Sequence, residues 1–362
     1  MQQLKSCSKD EFQQALDLIN ATFREGKQMM EKEFPLLLSE ENSERRVLMK
    51  VDDEVAAIVN YYKSNIHIEG TSVNVGSIGA VCTANNHRGK GFATKILNEI
   101  DQRMLNENIH VQLISGDRAL YTRRGASFGG KVLRVKLTEN KSNHLYTYEE
   151  VEEKDVISLL KIYNCDSTRF YRNHDEMVAL MYAGKAAYEH FKKVYLNNML
   201  IGYFVISENF KRVVEFGGSL PLIIQSIQQY QLDNKLGDLN LDLLSDSKDI
   251  SVIYEKNYEV EERNHNGTIK IIDINGLLNA LRPYAIQYIP EDVFDLIKVE
   301  KKVDSYVFYY KDEAISLGGD SELVKLIFGS WDDTAKKDTE LNGILQEIFP
   351  IPFPMTDNLN FI

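Results

Sequence analysis

The stretch from Val81 to Thr94 has residue types and a spacing that could bind a diphosphate. Its small residues, Gly89, Gly91 and Ala93, lie between a strand-like run and a run with helical periodicity. The first turn of a helix has backbone N–H groups without partners and a partial positive charge, so phosphates bind there when small side chains let them approach. An arginine and a lysine beside these glycines add positive charge to an otherwise acidic chain. The stretch therefore predicts a site for an anionic cofactor.

The spacing of these glycines excludes two other phosphate-binding loops. It is not Gly-x-Gly-x-x-Gly, and the chain has no Gly-x-x-x-x-Gly-Lys followed by Ser or Thr, so dinucleotide folds and P-loops fit poorly. A glycine turn that only reverses the chain is the alternative without a function. The candidate ligands of the diphosphate are the Arg88 side chain and the backbone N–H groups of Gly89, Lys90, Gly91, Phe92 and Ala93, with Thr94 at the following turn.

Residues Arg88 to Ala93 read Arg-x-x-Gly-x-Ala, a motif that resembles the loop of the GCN5-related N-acetyltransferase (GNAT) family. In that family the loop holds the diphosphate of acetyl-coenzyme A, follows the fourth strand and opens the third helix. A Tyr-x-x-x-Gly sequence comes just after the family's fifth strand, and this chain has it from Tyr121 to Gly125, after the strand-like run Val111 to Ser115. Asn85 stands where a proline is common, which affects the turn more than the chemistry. The resemblance implies acetyl-coenzyme A as the cofactor.

Strands and a helix must position this motif. Strand-like runs at Arg46 to Val51 and Val55 to Tyr62 are separated by turn residues and predict a hairpin. A longer strand, Thr71 to Thr83, contains Gly76 and Gly79. Glycine inside a strand marks a bulge, a splay or the close approach of another backbone or a ligand. Apolar residues then recur every four positions and predict the amphipathic helix that follows the loop.

Three segments are predicted along the chain. Residues 1–148 carry the motif, and residues 149–264 repeat the order of elements with Phe216 to Pro221 in place of the phosphate loop. This second loop lacks the arginine and the full spacing, so we expect it not to bind the cofactor. Residues 265–362 are expected to form a smaller α+β domain that ends in an apolar, proline-rich, docked tail.

This plan resembles the enhanced-intracellular-survival (Eis)-like acetyltransferases, which have a GNAT domain, a second degenerate one and a C-terminal sterol-carrier-like domain. The expected fold class is therefore α/β (α+β): tandem GNAT folds, each a mixed central sheet flanked by helices, and then the smaller sterol-carrier-like domain. Only the first segment carries diagnostic residues, and the other two match the plan by element order and length.

Tyr121 is the candidate general acid because of its place after the fifth strand. Coenzyme A leaves as a thiolate when an amine attacks the thioester, and a positioned phenol can give that thiolate a proton. The alternative is that Tyr121 only packs in a core, as many of the other tyrosines in the chain must do.

The residue that accepts the proton of the substrate ammonium is less clear from the sequence. The fourth strand has no glutamate where many family members have one, which leaves Asp117 and the terminal carboxylate of Ile362. The resemblance implies that the C-terminus of Eis-like enzymes reaches the active site, so the proline-stiffened tail would deliver that carboxylate. A tail docked only to cover a core edge is an equally open alternative. His87 is interpreted as a solvated loop histidine and not as a base.

Val81, Cys82 and Thr83 are expected beside the pantetheine arm of the cofactor, because the open edge of a splayed strand can pair with the amides of that arm. Cys82 is not interpreted as a nucleophile, since a lone cysteine in mid-strand is more often a small buried hydrophobe. Trp331 and the tyrosines of the last segment are expected to be core residues more than the lining of a substrate pocket.

The amino-acid composition limits the classes of binding partner that we expect. The 362 residues contain 42 Lys+Arg against 54 Asp+Glu, a net charge of −12 that argues against nucleic acid and favours a cationic amine substrate. Three widely spaced cysteines without a Cys-x-x-Cys pattern predict neither disulfides nor a metal site. The chain starts without a signal-like apolar run and has no apolar segment of about 18 residues, so we expect no membrane and a cytoplasmic location. Assembly into a homo-oligomer stays open.

These expectations combine into an acetyl-coenzyme A-dependent N-acetyltransferase that acts on a primary amine by direct attack in a ternary complex. The resemblance makes an aminoglycoside or a polyamine-like small molecule the first acceptor to consider. The alternative from another class is a non-catalytic acyl-coenzyme A or lipid-binding module, in which the sterol-carrier-like segment does the binding. A protein lysine acetyltransferase shares the first chemistry and differs in the width of its cleft.

Overall fold

The structure is a computed structural model that describes residues 2–141, 145–245, 247, 249–329 and 339–362. The described residues form a mixed α/β protein with two seven-stranded sheets and one three-stranded sheet. The strands are β1 (Gln2–Ser6), β2 (Arg46–Val51), β3 (Glu54–Ile68), β4 (Thr71–Thr83), β5 (Val111–Ile114), β6 (Lys131–Leu137), β7 (Tyr146–Glu150), β8 (Thr168–Phe170), β9 (His190–Leu196), β10 (Met199–Ser207), β11 (Arg212–Gly218), β12 (Leu239–Leu244), β13 (Val260–Asn264), β14 (Thr268–Ile271), β15 (Lys298–Lys301), β16 (Tyr306–Tyr310) and β17 (Glu313–Leu317).

Helices cover the sheets and connect their parallel strands. The helices are α1 (Phe12–Phe23), α2 (Met30–Glu33), α3 (Pro35–Leu38), α4 (Phe92–Asn106), α5 (Ala119–Thr122), α6 (Val156–Tyr163), α7 (His174–Ala187), α8 (Leu220–Asn234), α9 (Ser251–Glu255), α10 (Ile274–Ala285), α11 (Glu291–Phe294), α12 (Asp320–Phe328) and α13 (Glu340–Ile348).

The first sheet contains the predicted cofactor motif. Its strand order is β1-β2-β3-β4-β5-β14, and β8 pairs with the far end of β3. The predicted hairpin is β2 and β3, which pair antiparallel. β4 and β5 are parallel and α4 connects them, so the predicted strand, loop, helix and strand are confirmed. Phe92, Ile96, Ile100 and Met104 form the buried face of α4, which is the face that their spacing predicts.

The second sheet repeats this connection with different residues. Its order is β13-β6-β12-β11-β10-β9-β7, and α8 connects the parallel strands β11 and β12. β9 and β10 form a hairpin whose turn residues, Asn197 and Asn198, have φ values of 50° and 64°. Asparagine tolerates this left-handed backbone, which matches the twist of a two-residue hairpin turn.

The two seven-stranded sheets do not follow the predicted domain boundary at residue 149. β6 precedes residue 149 and β7 spans it, and both lie in the second sheet, whereas β8 and β14 follow it and lie in the first. The domain limits 1–148, 149–264 and 265–362 stay predictions.

The last segment adds an antiparallel sheet of β15, β16 and β17 with α10 to α13 around it. Its buried residues form one apolar cluster with residues of the first sheet, including Phe308 and Leu323 from this segment and Val75 and Val111 from β4 and β5. Trp331 lies outside the described residues. Among the described residues, no helix is long and apolar enough to cross a bilayer, and no His, Cys, Asp or Glu side chains cluster as a metal site would require.

Candidate active site

β4 and β5 separate at the predicted cofactor site. They pair from Val75 with Val111 to Ile78 with Ile114, and β5 ends there while β4 continues to Thr83. On its other side β4 stays paired with β3, and a bulge with a positive φ of 48° at Ala80 interrupts that ladder. The separation leaves one edge of the end of β4 without a strand partner in the described chain. We call the space between the two strands the first wedge.

The glycine loop after β4 has open space above it. Gly89 and Gly91 have φ values of +77° and +75°, a backbone that favours glycine. A Cβ atom placed on either residue would have nothing within 4 Å. A phosphate group can therefore approach this backbone from solvent without displacing other atoms.

The loop also supplies free donors. Within the described residues, the backbone N–H groups from Gly89 to Thr94 donate no hydrogen bond, and the Lys95 N–H is the first to bond, at 3.1 Å from the Gly91 carbonyl oxygen. The exposed Arg88 guanidinium has a single long contact, 3.4 Å from Nε to the Thr83 carbonyl oxygen. The donor set that a diphosphate requires is thus present and unused.

His87 differs from its interpretation as a solvated loop histidine. It is buried, with 9% of its surface exposed. Its ring packs against Phe92 with centroids 6.0 Å apart, and its Nδ1 lies 3.1 Å from the Lys90 ammonium nitrogen. The prediction was wrong because the short helical turn before the loop folds this side chain under the start of α4. The contact with His87 draws the Lys90 ammonium to the inner side of the loop.

The three residues at the end of β4 differ in their exposure. Val81 and Thr83 are half-buried, and Cys82 is buried with 4% of its surface exposed. Burial raises the pKa of the Cys82 thiol to about 12, so the sulfur is not a thiolate at neutral pH. Only Val81 and Thr83 are accessible from solvent.

Tyr121 lies on α5, immediately beyond the end of β5. It is buried, with 8% of its surface exposed, and shares an apolar cluster with Ile78 and Ile114 at the opening of the first wedge. Burial raises the pKa of its phenol, and the Arg118 charge opposes that rise. The phenol therefore keeps its proton at neutral pH, as a general acid requires.

The C-terminal residue lies in the first wedge. A Cβ atom on Gly79 would be 2.3 Å from the Ile362 side chain and 3.0 Å from its carboxyl carbon. Only glycine at position 79 leaves room for this approach. A glycine inside a strand predicts the close approach of another backbone, and this prediction is confirmed for Gly79.

Two small cavities border the tail. One is lined by Ile78 and Ile114 as well as Ile362, so the residues that surround Tyr121 also contact the end of the chain. Within the described residues, no basic side chain pairs with the terminal carboxylate. Asp117, the other candidate base, is exposed on the turn before α5. Ile362 thus lies in the first wedge, Tyr121 packs in the apolar cluster that contains Ile78 and Ile114, and Asp117 is exposed.

The other cavity contains residues that sequence reasoning missed. Glu33 and Phe34 from the α2–α3 region, and Tyr62 and Ser64 from β3, surround the tail there. The Tyr62 hydroxyl donates to Glu176 Oε1 at 2.8 Å. Aromatic rings with a carboxylate are suitable surroundings for an organic amine. Only Gly79 signalled this region in the sequence, because the other residues look like ordinary parts of amphipathic elements.

A buried ion pair holds the tail. Arg172 and Glu215 form two hydrogen bonds of 2.8 and 2.7 Å, and their side chains are 0% and 5% exposed. Arg172 Nε also donates to Asn360 Oδ1 at 2.7 Å, and Glu215 Oε2 accepts the Leu359 N–H at 3.2 Å. The Glu215 charge raises the pKa of Arg172 further above its ordinary value, against the effect of burial. Both members of the pair thus bond to residues just before Ile362.

Contacts of residues 353–357 hold the preceding part of the tail. The Phe353 ring packs edge-on against Phe328 with centroids 5.2 Å apart. Thr356 Oγ1 donates to the Asn266 carbonyl oxygen at 2.7 Å, and Asp357 forms an ion pair with Arg212. The tail therefore contacts parts of all three segments before it reaches the first wedge.

A comparison with known sequences matches the part of the chain that contains the glycine loop. Residues 3–129 match the sequence family described as Acetyltransferase (GNAT) domain. The chain thus carries a GNAT acetyltransferase domain, and the protein is an enzyme of the GNAT N-acetyltransferase type. No curated protein sequence matches the chain.

Solved structures are similar over almost the whole chain. A GCN5-related N-acetyltransferase from Kribbella flavida has a TM-score of 0.66 and 10% identity, over 98% of this chain and 97% of that one. One from Anabaena variabilis has a TM-score of 0.66 and 12% identity, over 98% and 99%. Eis1 from Mycobacterium abscessus has a TM-score of 0.63 and 12% identity, over 98% and 99%. At such identities the similarity concerns the fold.

Proposed function

We propose that this enzyme transfers the acetyl group of acetyl-coenzyme A to a primary amine of a small cationic molecule, by direct attack in a ternary complex. The single observation that carries the proposal is the open glycine loop after β4, whose backbone N–H groups from Gly89 to Thr94 donate no hydrogen bond among the described residues. The family match of residues 3–129 supports the acyl transfer itself.

The residues of the first wedge fit acetyl-coenzyme A. The unused N–H groups from Gly89 to Thr94, with Arg88, would hold its diphosphate. The open edge of β4 at Val81 and Thr83 would pair with the amides of its pantetheine arm. When bound, acetyl-coenzyme A supplies the thioester from which the acetyl group is transferred.

Two groups of the chain would move protons. The carboxylate of Ile362 would accept a proton from the substrate ammonium, so that the amine nitrogen can form a bond to the acetyl carbon. The Tyr121 hydroxyl would give its proton to the sulfur as the carbon–sulfur bond breaks, and the phenolate would regain a proton as the nitrogen loses its second one to form the amide. The absence of a basic partner at the terminal carboxylate, among the described residues, supports its role as a base. Asp117 is the alternative base.

The acceptor is proposed to be an aminoglycoside or polyamine-like amine. The cavity around Glu33, Phe34 and Tyr62 combines a carboxylate with aromatic rings, and the net charge of −12 attracts cations. The Arg24 guanidinium contacts Glu33 and reduces the negative charge in this cavity.

The proposal includes a three-part plan for the whole chain. The first part binds the cofactor, and the second is a degenerate GNAT unit. The third, with β15 to β17 and α10 to α13, is a sterol-carrier-like unit that brings the tail to the site. A location in the cytoplasm fits the absence of a bilayer-spanning helix among the described residues.

Release of coenzyme A thiol tests the proposal. The protein is mixed with acetyl-coenzyme A and, in turn, aminoglycosides, polyamines and lysine peptides, and the thiol is detected with a chromogenic disulfide. We expect release with at least one small polyamine or aminoglycoside, and a product heavier by one acetyl group. Thiol release with lysine peptides alone would support the protein acetyltransferase. Binding of coenzyme A without transfer to any amine would support the non-catalytic module.

A further inference from the structure

The second sheet contains a cavity between two of its parallel strands. β11 and β12 pair only at Arg212 with Asn240 and at Val213 with Leu241, and then they separate. The cavity between them, which we call the second wedge, has a volume of about 620 Å³. Ligand sites commonly have volumes of about 300–1,000 Å³. The second wedge shares no lining residue with the two cavities at Ile362.

Apolar side chains form much of the second wedge. Val214, Leu220, Leu241 and Leu243 line it, and each is at least nine-tenths buried. Phe216 is half-buried in the same cavity. An occupant would therefore bury an apolar body of several carbon atoms here.

The charged groups of the second wedge are mostly neutralised. Asp242, Asp357 and Glu215 are each paired with an arginine. The Asp166 and Asp249 carboxylates, in contrast, are exposed and have no hydrogen bond or ion pair among the described residues. Thr168 Oγ1, also in the lining, is buried and has no hydrogen-bond partner in the described chain. The cavity thus offers two unpaired carboxylates to an occupant.

Asp166 is an exposed member of the lining, and the groups around it act on its carboxyl. Partial desolvation, with the Glu215 charge adding to it, raises the pKa of this carboxyl, although the Arg169 charge opposes the rise. Arg169 is occupied with Asn164 Oδ1 and the Asp166 carbonyl oxygen, at 3.0 and 2.7 Å. A cation placed beside Asp166 would relieve the cost of its isolated charge.

The loop of the second wedge does not fit a diphosphate. A Cβ atom on Gly218 would lie 2.5 Å from the Ile201 carbonyl oxygen, so the loop packs on β10 instead of facing open space. Pro221, in the first turn of α8, has no N–H group to donate. The loop from Phe216 to Pro221 also contains no Arg or Lys. Coenzyme A is therefore a poor occupant.

We propose that the second wedge binds a small amphiphilic amine, with its apolar body against Leu241 and Leu243 and its cationic head at Asp166. The proposal stands on this cavity alone and does not depend on the chemistry of the first wedge. The occupant would also touch Pro354, Met355, Asp357 and Asn358, in the part of the tail that precedes Ile362.

Calorimetric titration with N,N-dimethyloctylamine tests the proposal. This tertiary amine is cationic at pH 8 and cannot form a neutral amide, so transfer chemistry does not consume it. 1-Octanol and octanoate have the same chain length and serve as neutral and anionic comparators. We expect one equivalent of the amine to bind about tenfold more tightly than octanol, with octanoate weakest, in the presence of saturating acetyl-coenzyme A. Equal affinity for octanoate, or displacement of the amine by acetyl-coenzyme A, would overturn the proposal.

Variants locate the binding. Asp166→Asn should weaken binding of the amine about tenfold and leave binding of octanol unchanged. Ser219→Trp places an indole at the exposed start of α8, in the lining of the wedge, and should abolish binding of all three compounds. Asp53→Asn removes an exposed carboxylate of the first unit and should change nothing. Amine binding that persists in Ser219→Trp, in a variant with an unchanged melting temperature, would contradict the site.

Discussion

The first and second wedges have the same connectivity and opposite electrostatic character. In each, a strand leads through a glycine-containing loop to a helix of 15 residues and then to a parallel strand. The loop of the first wedge exposes unused N–H groups, whereas the loop of the second contains Pro221 and packs on the neighbouring strand. The comparison teaches that a splayed pair of parallel strands provides only the cavity. The loop and the unpaired charges decide which ligand enters it.

The C-terminal tail connects the two wedges. Pro354, Met355, Asp357 and Asn358 line the second, and Ile362 lies in the first. The buried pair of Arg172 and Glu215 is placed between them and bonds to the residues before Ile362. Arg172 and Glu215 therefore support the tail, whatever ligand the second wedge binds.

Tyr121→Phe should have the largest effect on activity. The phenyl ring keeps the packing at the first wedge but has no proton to give to the departing thiolate. We expect kcat to fall about 10²- to 10⁴-fold, with KM for acetyl-coenzyme A within about twofold of the original value. Steady-state kinetics with the best acceptor from the amine panel measure both.

Tyr182→Phe is the matched control in the second unit. Tyr182 is exposed, and its hydroxyl donates to Glu153 at the surface. This variant should keep full activity. Full activity in Tyr121→Phe as well would remove Tyr121 from the mechanism.

Amidation of the C-terminus should have the next largest effect. A carboxamide at Ile362, introduced by peptide ligation, keeps the side chain against Gly79 and removes only the charge of the base. We expect kcat to fall about 100-fold, because the carboxamide cannot accept a proton from the substrate ammonium. The melting temperature should change little, since no basic group in the described chain pairs with this carboxylate.

Asp117→Asn is the comparison that decides between the two candidate bases. It should change kcat by less than about twofold. The opposite pattern, a large loss in Asp117→Asn and none on amidation, would move the base to Asp117 and leave the tail a structural role.

Breaking the buried pair should uncouple the tail from the first wedge. Glu215→Gln leaves the Arg172 charge buried without a partner, so we expect the free energy of unfolding to fall by about 3–5 kcal/mol. Because the Leu359 and Asn360 contacts weaken, kcat should also fall about tenfold. Denaturant unfolding and kinetics below the unfolding transition separate these effects.

The double variant Arg172→Met with Glu215→Leu tests positioning against simple stability. Apolar residues of similar volume recover much of the stability of a buried ion pair. They cannot restore the hydrogen bonds to the tail, so kcat should stay low. Recovery of kcat together with stability would show that the pair does not position the tail.

The sequence predicted the elements of the first wedge much better than the buried Arg172–Glu215 pair that holds the tail. The phosphate loop, its strand and its helix are contiguous, so local periodicity and a short motif locate them. Arg172, Glu215 and Asn360 are far apart in the chain, and a buried arginine has no local pattern to distinguish it from a surface one. The same reason hides the pairing of β8 with β3 and of β14 with β5, since no sequence rule gives the register of strands so distant in the chain.

Gly91→Ala should have a moderate effect on cofactor binding and little effect on kcat. The positive φ at Gly91 strains alanine by about 1–2 kcal/mol, and its methyl group would occupy the open space where the diphosphate is proposed to bind. We expect KM for acetyl-coenzyme A to rise about tenfold, with kcat within about twofold of its original value.

Gly237→Ala is the matched control in the second unit. Gly237 also has a positive φ, +69°, and a Cβ there would have nothing within 4 Å. The two variants should therefore lose the same stability in denaturant unfolding, but only Gly91→Ala should raise KM. A rise in KM in both would mean that backbone strain, and not the space above the loop, controls cofactor binding.

Cys82→Ala should have the smallest effect, although Cys82 lies on the strand that faces the cofactor. At pH 8 a thiol with a pKa of about 12 is ionised in only about one molecule in ten thousand, so it is a poor nucleophile. We expect activity within about twofold of the original value and a loss of about 1 kcal/mol in stability from the small cavity. Iodoacetamide should label Cys165, which is exposed, and leave Cys82 unmodified in the folded protein. Labelling of Cys82 with parallel loss of activity would instead show that the end of β4 is open to solvent on both faces. Val81 and Thr83 would then not be the only residues of β4 beside the pantetheine arm.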